Sequence, residues 1–139
     1  MGYQYDGVDL REHPEEYRIG HGEQGVFHAE PYKDELLPLW KFKDEVVARE
    51  FSEAIYRKFL EYRSDEDFVG MDVARKYLQM GWTRSLRYAK YKGGNKNRPL
   101  ENADQEKLRC ASIFKDLYVR ARTDGIYIEL KEEHKRRNE

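Results

Sequence analysis

The chain has 139 residues, 39% of them hydrophobic, 14% aromatic and 38% charged, with a formal net charge of −1. That length suits one domain, and eleven Tyr, six Phe and two Trp exclude a disordered chain. The single cysteine, Cys110, excludes an internal disulfide and a four-cysteine zinc site.

Residues 1–43 read as an irregular arm. They hold Pro14, Pro31 and Pro38 and glycines at 7, 20, 22 and 25, with poor periodicity. One short β-hairpin is predicted there, with strands Tyr17 to Ile19 and Val26 to Ala29 flanking the glycine-rich turn. Residues 44–139 read as a helical body. From Asp44 the apolar residues Val47, Phe51, Ile55, Phe59 and Tyr62 share one helical face, opposite Glu50, Glu53, Arg57 and Glu61. Ser64 to Asp67 is a polar break and a helix start.

The next helix carries Val73, Ala74, Tyr77, Leu78 and Met80 inward and Asp72, Arg75, Lys76 and Gln79 outward, and Gly81 is expected to kink or end it. A shorter helix is predicted from about Trp82 to Tyr91. Paired glycines and a proline oppose helix in Lys92 to Pro99. A long helix follows from a cap at Asn102 or Asp104 to about Thr123, burying Cys110, Phe114, Leu117, Tyr118 and Ala121. After Asp124-Gly125 a strand competes with a last helix over Ile126 to Ile128, and the helix formers of 129–139 favour helix. The fold class is mainly α: a single domain of four to five helices with an irregular N-terminal arm.

Charge is unevenly distributed. Residues 1–72 hold 18 acids and 9 Lys or Arg, and residues 99–139 hold 9 of each. Residues 73–98 hold no acid and eight cations: Arg75, Lys76, Arg84, Arg87, Lys90, Lys92, Lys96 and Arg98. On the 82–91 helix, Arg84, Arg87, Tyr88 and Tyr91 fall opposite Trp82, Leu86 and Ala89. Guanidinium groups pair with phosphate, tyrosine rings stack on bases, and amides around Gly93-Gly94-Asn95 can form an anion nest. Arg75, Arg84, Arg87, Tyr88, Lys90, Tyr91, Lys92, Gly93, Gly94, Lys96 and Arg98 are therefore the candidate anion-binding residues. An equally weighted reading is a basic face balanced by the acidic first half of the chain.

Gly20-His21-Gly22-Glu23-Gln24-Gly25 has the spacing G-x-G-x-x-G. The strand before and the helix after that a dinucleotide fingerprint needs are missing, so a glycine-permitted turn is favoured. Arg18, Gly20, His21, Gly22 and Gly25 remain a secondary phosphate-binding candidate. His21 and His28 with Glu23 and Glu30 match no recognised metal spacing, so no metal site is expected. His134, in a basic tail, is expected at the surface, and Cys110 in the core. Nothing singles out a catalytic pair.

Tyr17 to Val26, with Glu30-Pro31-Tyr32-Lys33, and the run Phe68 to Arg84 resemble the family known as domain of unknown function 4385, which occurs in bacteria, algae and large DNA viruses or tailed phages. The resemblance runs from about Tyr5 to Lys135. It implies no activity, cofactor or catalytic residue. The family pattern leads us to expect a basic residue such as Arg where this chain has His21, so a fixed charge at that turn is not essential.

The leading expectation is a non-enzymatic module that binds a polyanion, nucleic acid foremost, through residues 75–98. The alternatives are an enzyme or binder of a small phosphorylated ligand held between residues 18–25 and Arg84/Arg87, and a protein-interaction adaptor or homo-oligomer. No cofactor is expected. No apolar run approaches the roughly 18 residues that span a bilayer, and Met1 to Asp6 has no signal-peptide character. A cytoplasmic protein without membrane contact is the expectation, and oligomeric state is left open.

Overall fold

The computed structural model describes residues 5–20 and 24–138. Five α-helices are present among them: α1 (Tyr32–Leu36), α2 (Glu45–Ser64), α3 (Phe68–Lys90), α4 (Gln105–Arg122) and α5 (Gly125–Asn138). The architecture is mainly α, with one isolated bridge, Tyr91 to Pro99, as the β-pairing among the described residues.

Aspartates start the four long helices. The carboxylates of Asp44, Asp67, Asp104 and Asp124 accept the backbone N–H three residues on, from Val47, Gly70, Lys107 and Tyr127. Each satisfies an orphan donor of the first turn and contributes about 1 kcal/mol.

α2, α3 and α4 pack against one another, and α3 is central. Its 23 residues form one continuous helix of about 35 Å. The predicted interruption at Gly81 is therefore corrected. A Cβ on Gly81 would lie 2.2 Å from Phe114 Cδ1, so glycine is there to let the α4 ring lie against the α3 backbone. Gly70 does the same for Tyr62 of α2, where a Cβ would lie 2.6 Å from Cγ. The buried face near the end of α3 is Gly81, Ser85 and Ala89, while Trp82 and Leu86 are half-buried. Trp82 stacks on Tyr118 at 5.6 Å.

The predicted hairpin is replaced by short 3-10 helices at Pro14–Glu16 and Gln24–His28. Val26 in the second 3-10 helix and Ala29 just past its end are both buried, a spacing of three that a 3-10 turn brings to one side and strand alternation would not. Leu10, Tyr17, Tyr32 and Leu36 are fully enclosed as well, so the arm completes the core.

α5 is helical, as the composition of 129–138 favours. It buries Tyr127 and His134 and leaves Ile126 44% exposed. His134, expected at the surface, is 7% exposed, and its Nε2–H donates to the Tyr17 carbonyl at 2.7 Å. Cys110 is buried, and burial pushes its thiol pKa up, as a core residue requires. No described helix is long and apolar enough to cross a membrane.

Candidate anion-binding site

The eight cations of residues 73–98 divide into two groups. Arg75 and Lys76 face a buried polar centre. The Arg75 side chain is 12% exposed, and its Nη2 pairs with Asp72 Oδ1 at 2.7 Å. The same guanidinium donates to Gln79 Oε1 and to the Tyr127 hydroxyl. Asp72 also accepts from the Tyr17 hydroxyl at 2.5 Å and the Tyr127 hydroxyl at 2.6 Å.

Burial opposes ionisation of Asp72, but Arg75, Lys76 and the two hydroxyls outweigh it and hold its pKa below the ordinary carboxylate value. Lys76 is 8% exposed and stands 5.8 Å from the Tyr17 ring centroid. Desolvation lowers its pKa, partly offset by Asp72. Asp72 and Lys76 thus lie inside rather than outside, because the arm and α5 cover the α3 face opposite the bundle. Arg75 is an internal structural cation and does not share a surface with the other candidates.

The remaining cations surround the end of α3. Arg84 is half-buried, with its guanidinium carbon 5.7 Å from the Trp40 ring centroid. Arg87, Lys90, Lys92, Lys96 and Arg98 are exposed, and among the described residues none of the five pairs with a carboxylate. The balanced basic face therefore holds for Arg75 and fails for these five.

The loop that carries three of them, Lys92, Lys96 and Arg98, is closed on itself. Lys92 N–H donates to Arg98 O at 2.8 Å, Arg98 N–H to Asn95 O at 2.9 Å, and Leu100 N–H to Lys90 O at 2.9 Å. Gly93 and Gly94 take φ of +58° and +74°, which L side chains adopt at a cost. Gly94 is also buried beneath Tyr88, where a Cβ would lie 3.0 Å from Cε1. The amides of Gly94 and Asn95 donate to Tyr91 O and Lys92 O, so they are not free to form the predicted anion nest. Arg87 Nε donates to Gly94 O at 2.5 Å, and its terminal nitrogens have no partner among the described residues.

Tyr88 is 38% exposed, and Tyr91 is half-buried in the bridge to Pro99. Tyr88 forms a wall of an open groove of about 510 Å³ whose other walls are Trp40, Phe42, Val47 and Phe51, with Lys41, Lys43 and Lys107 around it. Lys107 Nζ donates to the carbonyls of Phe42 and Lys43 at 3.0 and 2.7 Å and fixes the segment that carries the aromatics. The Trp40 indole nitrogen is buried without a hydrogen-bond partner among the described residues. Sequence reasoning missed this groove, although Trp40-Lys41-Phe42-Lys43 alternates aromatic and cation in plain view.

In the secondary candidate, Arg18 and Gly20 are exposed. Arg18 Nη1 donates to Glu15 O, and its backbone N–H donates to the Tyr5 hydroxyl. Gly25 lies in the Gln24–His28 turn, and His21 and Gly22 lie outside the described residues. Arg84 and Arg87 turn to different partners, Trp40 and Gly94.

A family model described as Domain of unknown function (DUF4385) matches residues 2–137. The chain belongs to that family. The match contains the sequence runs that carry the resemblance, residues 17–26 and the Phe68–Arg84 stretch of α3. No curated protein and no solved structure matches the chain. The family is one of unknown function and supplies no chemistry, so the functional reading rests on side chains.

Proposed function

We propose that this DUF4385 protein is a binding module for a polyanion, with nucleic acid the best fit, and that it acts by binding rather than by catalysis. The observation that carries the reading is the set Arg87, Lys90, Lys92, Lys96 and Arg98, exposed and without carboxylate partners among the described residues. Unneutralised cations concentrated on the last turn of α3 and the loop after it set up a local positive potential although the whole chain carries −1. Phosphates entering that potential release counterions, which drives association.

The loop's closure supports the same reading. Its end-to-end hydrogen bonds, the Arg87–Gly94 bond and the packing of Gly94 under Tyr88 fix the backbone that carries the cations before a ligand arrives, so little backbone ordering entropy is lost on binding.

Fluorescence anisotropy of a labelled oligonucleotide tests the proposal. The wild-type chain binds, and a Lys90→Gln, Lys92→Gln, Lys96→Gln, Arg98→Gln variant with an unchanged circular dichroism spectrum does not. Equal binding by the two proteins, or no binding by the wild type, rejects it.

A further inference from the structure

Continuous with the basic loop, the Trp40–Phe42–Phe51–Tyr88 groove holds flat rings and apolar walls beside unneutralised charge. We infer that this groove takes the exposed bases of a single-stranded nucleic acid whose phosphates run along Arg87 to Arg98. The inference rests on the polyanion reading and adds the class of ligand.

Tyr88 joins the two surfaces. One side of its ring covers Gly94 in the basic loop, while the residue also lines the groove and lies 6.3 Å from the Phe42 ring. A strand that meets the loop through its phosphates therefore presents its bases to the groove. A volume of about 510 Å³ is within the ~300–1,000 Å³ typical of small-ligand sites. Bases stack on aromatic side chains without regard to sequence, because every base has a π-face. A duplex keeps its bases stacked inside and cannot use such a groove.

Charge favours the same occupant. Lys41 and Lys43 are exposed and pair with no carboxylate among the described residues, and Lys41 Nζ stands 5.8 Å from the Phe51 ring centroid. The neighbouring acids are engaged elsewhere. Asp44 caps α2, Glu45 faces Arg109, and Glu106 accepts from the Glu45 N–H and from Arg109. The groove rim is therefore cationic, which suits a polyanion with aromatic bases and disfavours a cationic or purely apolar partner.

The test compares four probes on the wild-type chain: thymidine and uridine oligonucleotides of about twenty nucleotides, a duplex of similar length, and heparin, a polyanion with no bases. Tyr88→Leu and Phe51→Leu are measured in parallel, each checked for folding, and Trp40 emission is followed in a Trp82→Phe background. The inference predicts that one or both single strands bind more tightly than duplex or heparin and quench Trp40. Each Leu variant then loses at least about fivefold in single-strand affinity, and Phe51→Leu, which lies away from the basic loop, leaves heparin binding unchanged. The thymidine and uridine arms differ in sugar and in the C5 methyl of the base, and tight binding of either one supports the groove. Equal binding of all four probes, with no quenching and no effect of either variant, overturns the groove and leaves the polyanion reading standing. Failure of every probe, heparin included, removes both.

Discussion

The Tyr17 hydroxyl donates to Asp72 across 55 residues of chain, at 2.5 Å and with both side chains enclosed. That bond and its Tyr127 counterpart join the arm, α3 and α5 at one carboxylate. Asp72→Asn removes the charge that Arg75 and Lys76 face and leaves two buried cations uncompensated. The expected loss is about 3–5 kcal/mol of unfolding free energy, read by urea denaturation. Tyr17→Phe keeps the ring and removes one hydrogen bond, so its loss is about 1–3 kcal/mol.

Acid acts on the same centre. Asp72 has its pKa lowered, and so does Glu35, chiefly by the two hydrogen bonds from Arg11. A carboxylate whose folded pKa lies below its unfolded value contributes stability that is complete above the unfolded value. That contribution is lost as pH falls through the folded value. Unfolding free energy is expected to hold above about pH 5 and decline below pH 4, with Asp72→Asn showing a shallower decline.

Alkali acts through tyrosine. Burial, first of all, raises the pKa of Tyr17, Tyr32, Tyr62, Tyr77 and Tyr127 above the ordinary value, reinforced by neighbouring carboxylates. The folded state keeps protons that the unfolded state releases, so their contribution is complete below about pH 10 and lost above it. Phenolate absorbance should show these five tyrosines ionising together with unfolding.

Gly81→Ala tests the close approach of α3 and α4. Alanine raises helix propensity by about 1 kcal/mol, but its Cβ would lie 2.2 Å from the Phe114 ring. Overpacking outweighs propensity, and a net loss of about 1–3 kcal/mol is expected. Gly81→Ala with Phe114→Leu should cost less than the two changes added.

Much of this fold was legible. The helix start at Ser64 to Asp67 and the cap at Asp104, one of two candidates, are readable from residue type, and the periodicity of Ile55, Phe59 and Tyr62 identifies a buried face. What failed was tertiary. Gly81 reads as a break because local propensity knows nothing of Phe114. Asp72 reads as outward because one helix's periodicity shows one buried face, and α3 has two. Val26 and Ala29 read as strand until their spacing of three is given a 3-10 turn. For the site, charge counting found the acid-free segment but not that Arg75 turns inward. The aromatic–lysine alternation at 40–43 lies in an arm without periodicity, so nothing in the sequence assigned it a face.

The most direct test of the central claim is the salt dependence of oligonucleotide affinity for the wild-type chain. If Arg87, Lys90, Lys92, Lys96 and Arg98 each neutralise one phosphate of a single strand, log affinity falls against log salt with a slope of roughly −3.5. A slope near zero would contradict the account, because the ligand would then be held by something other than the loop's free positive charge.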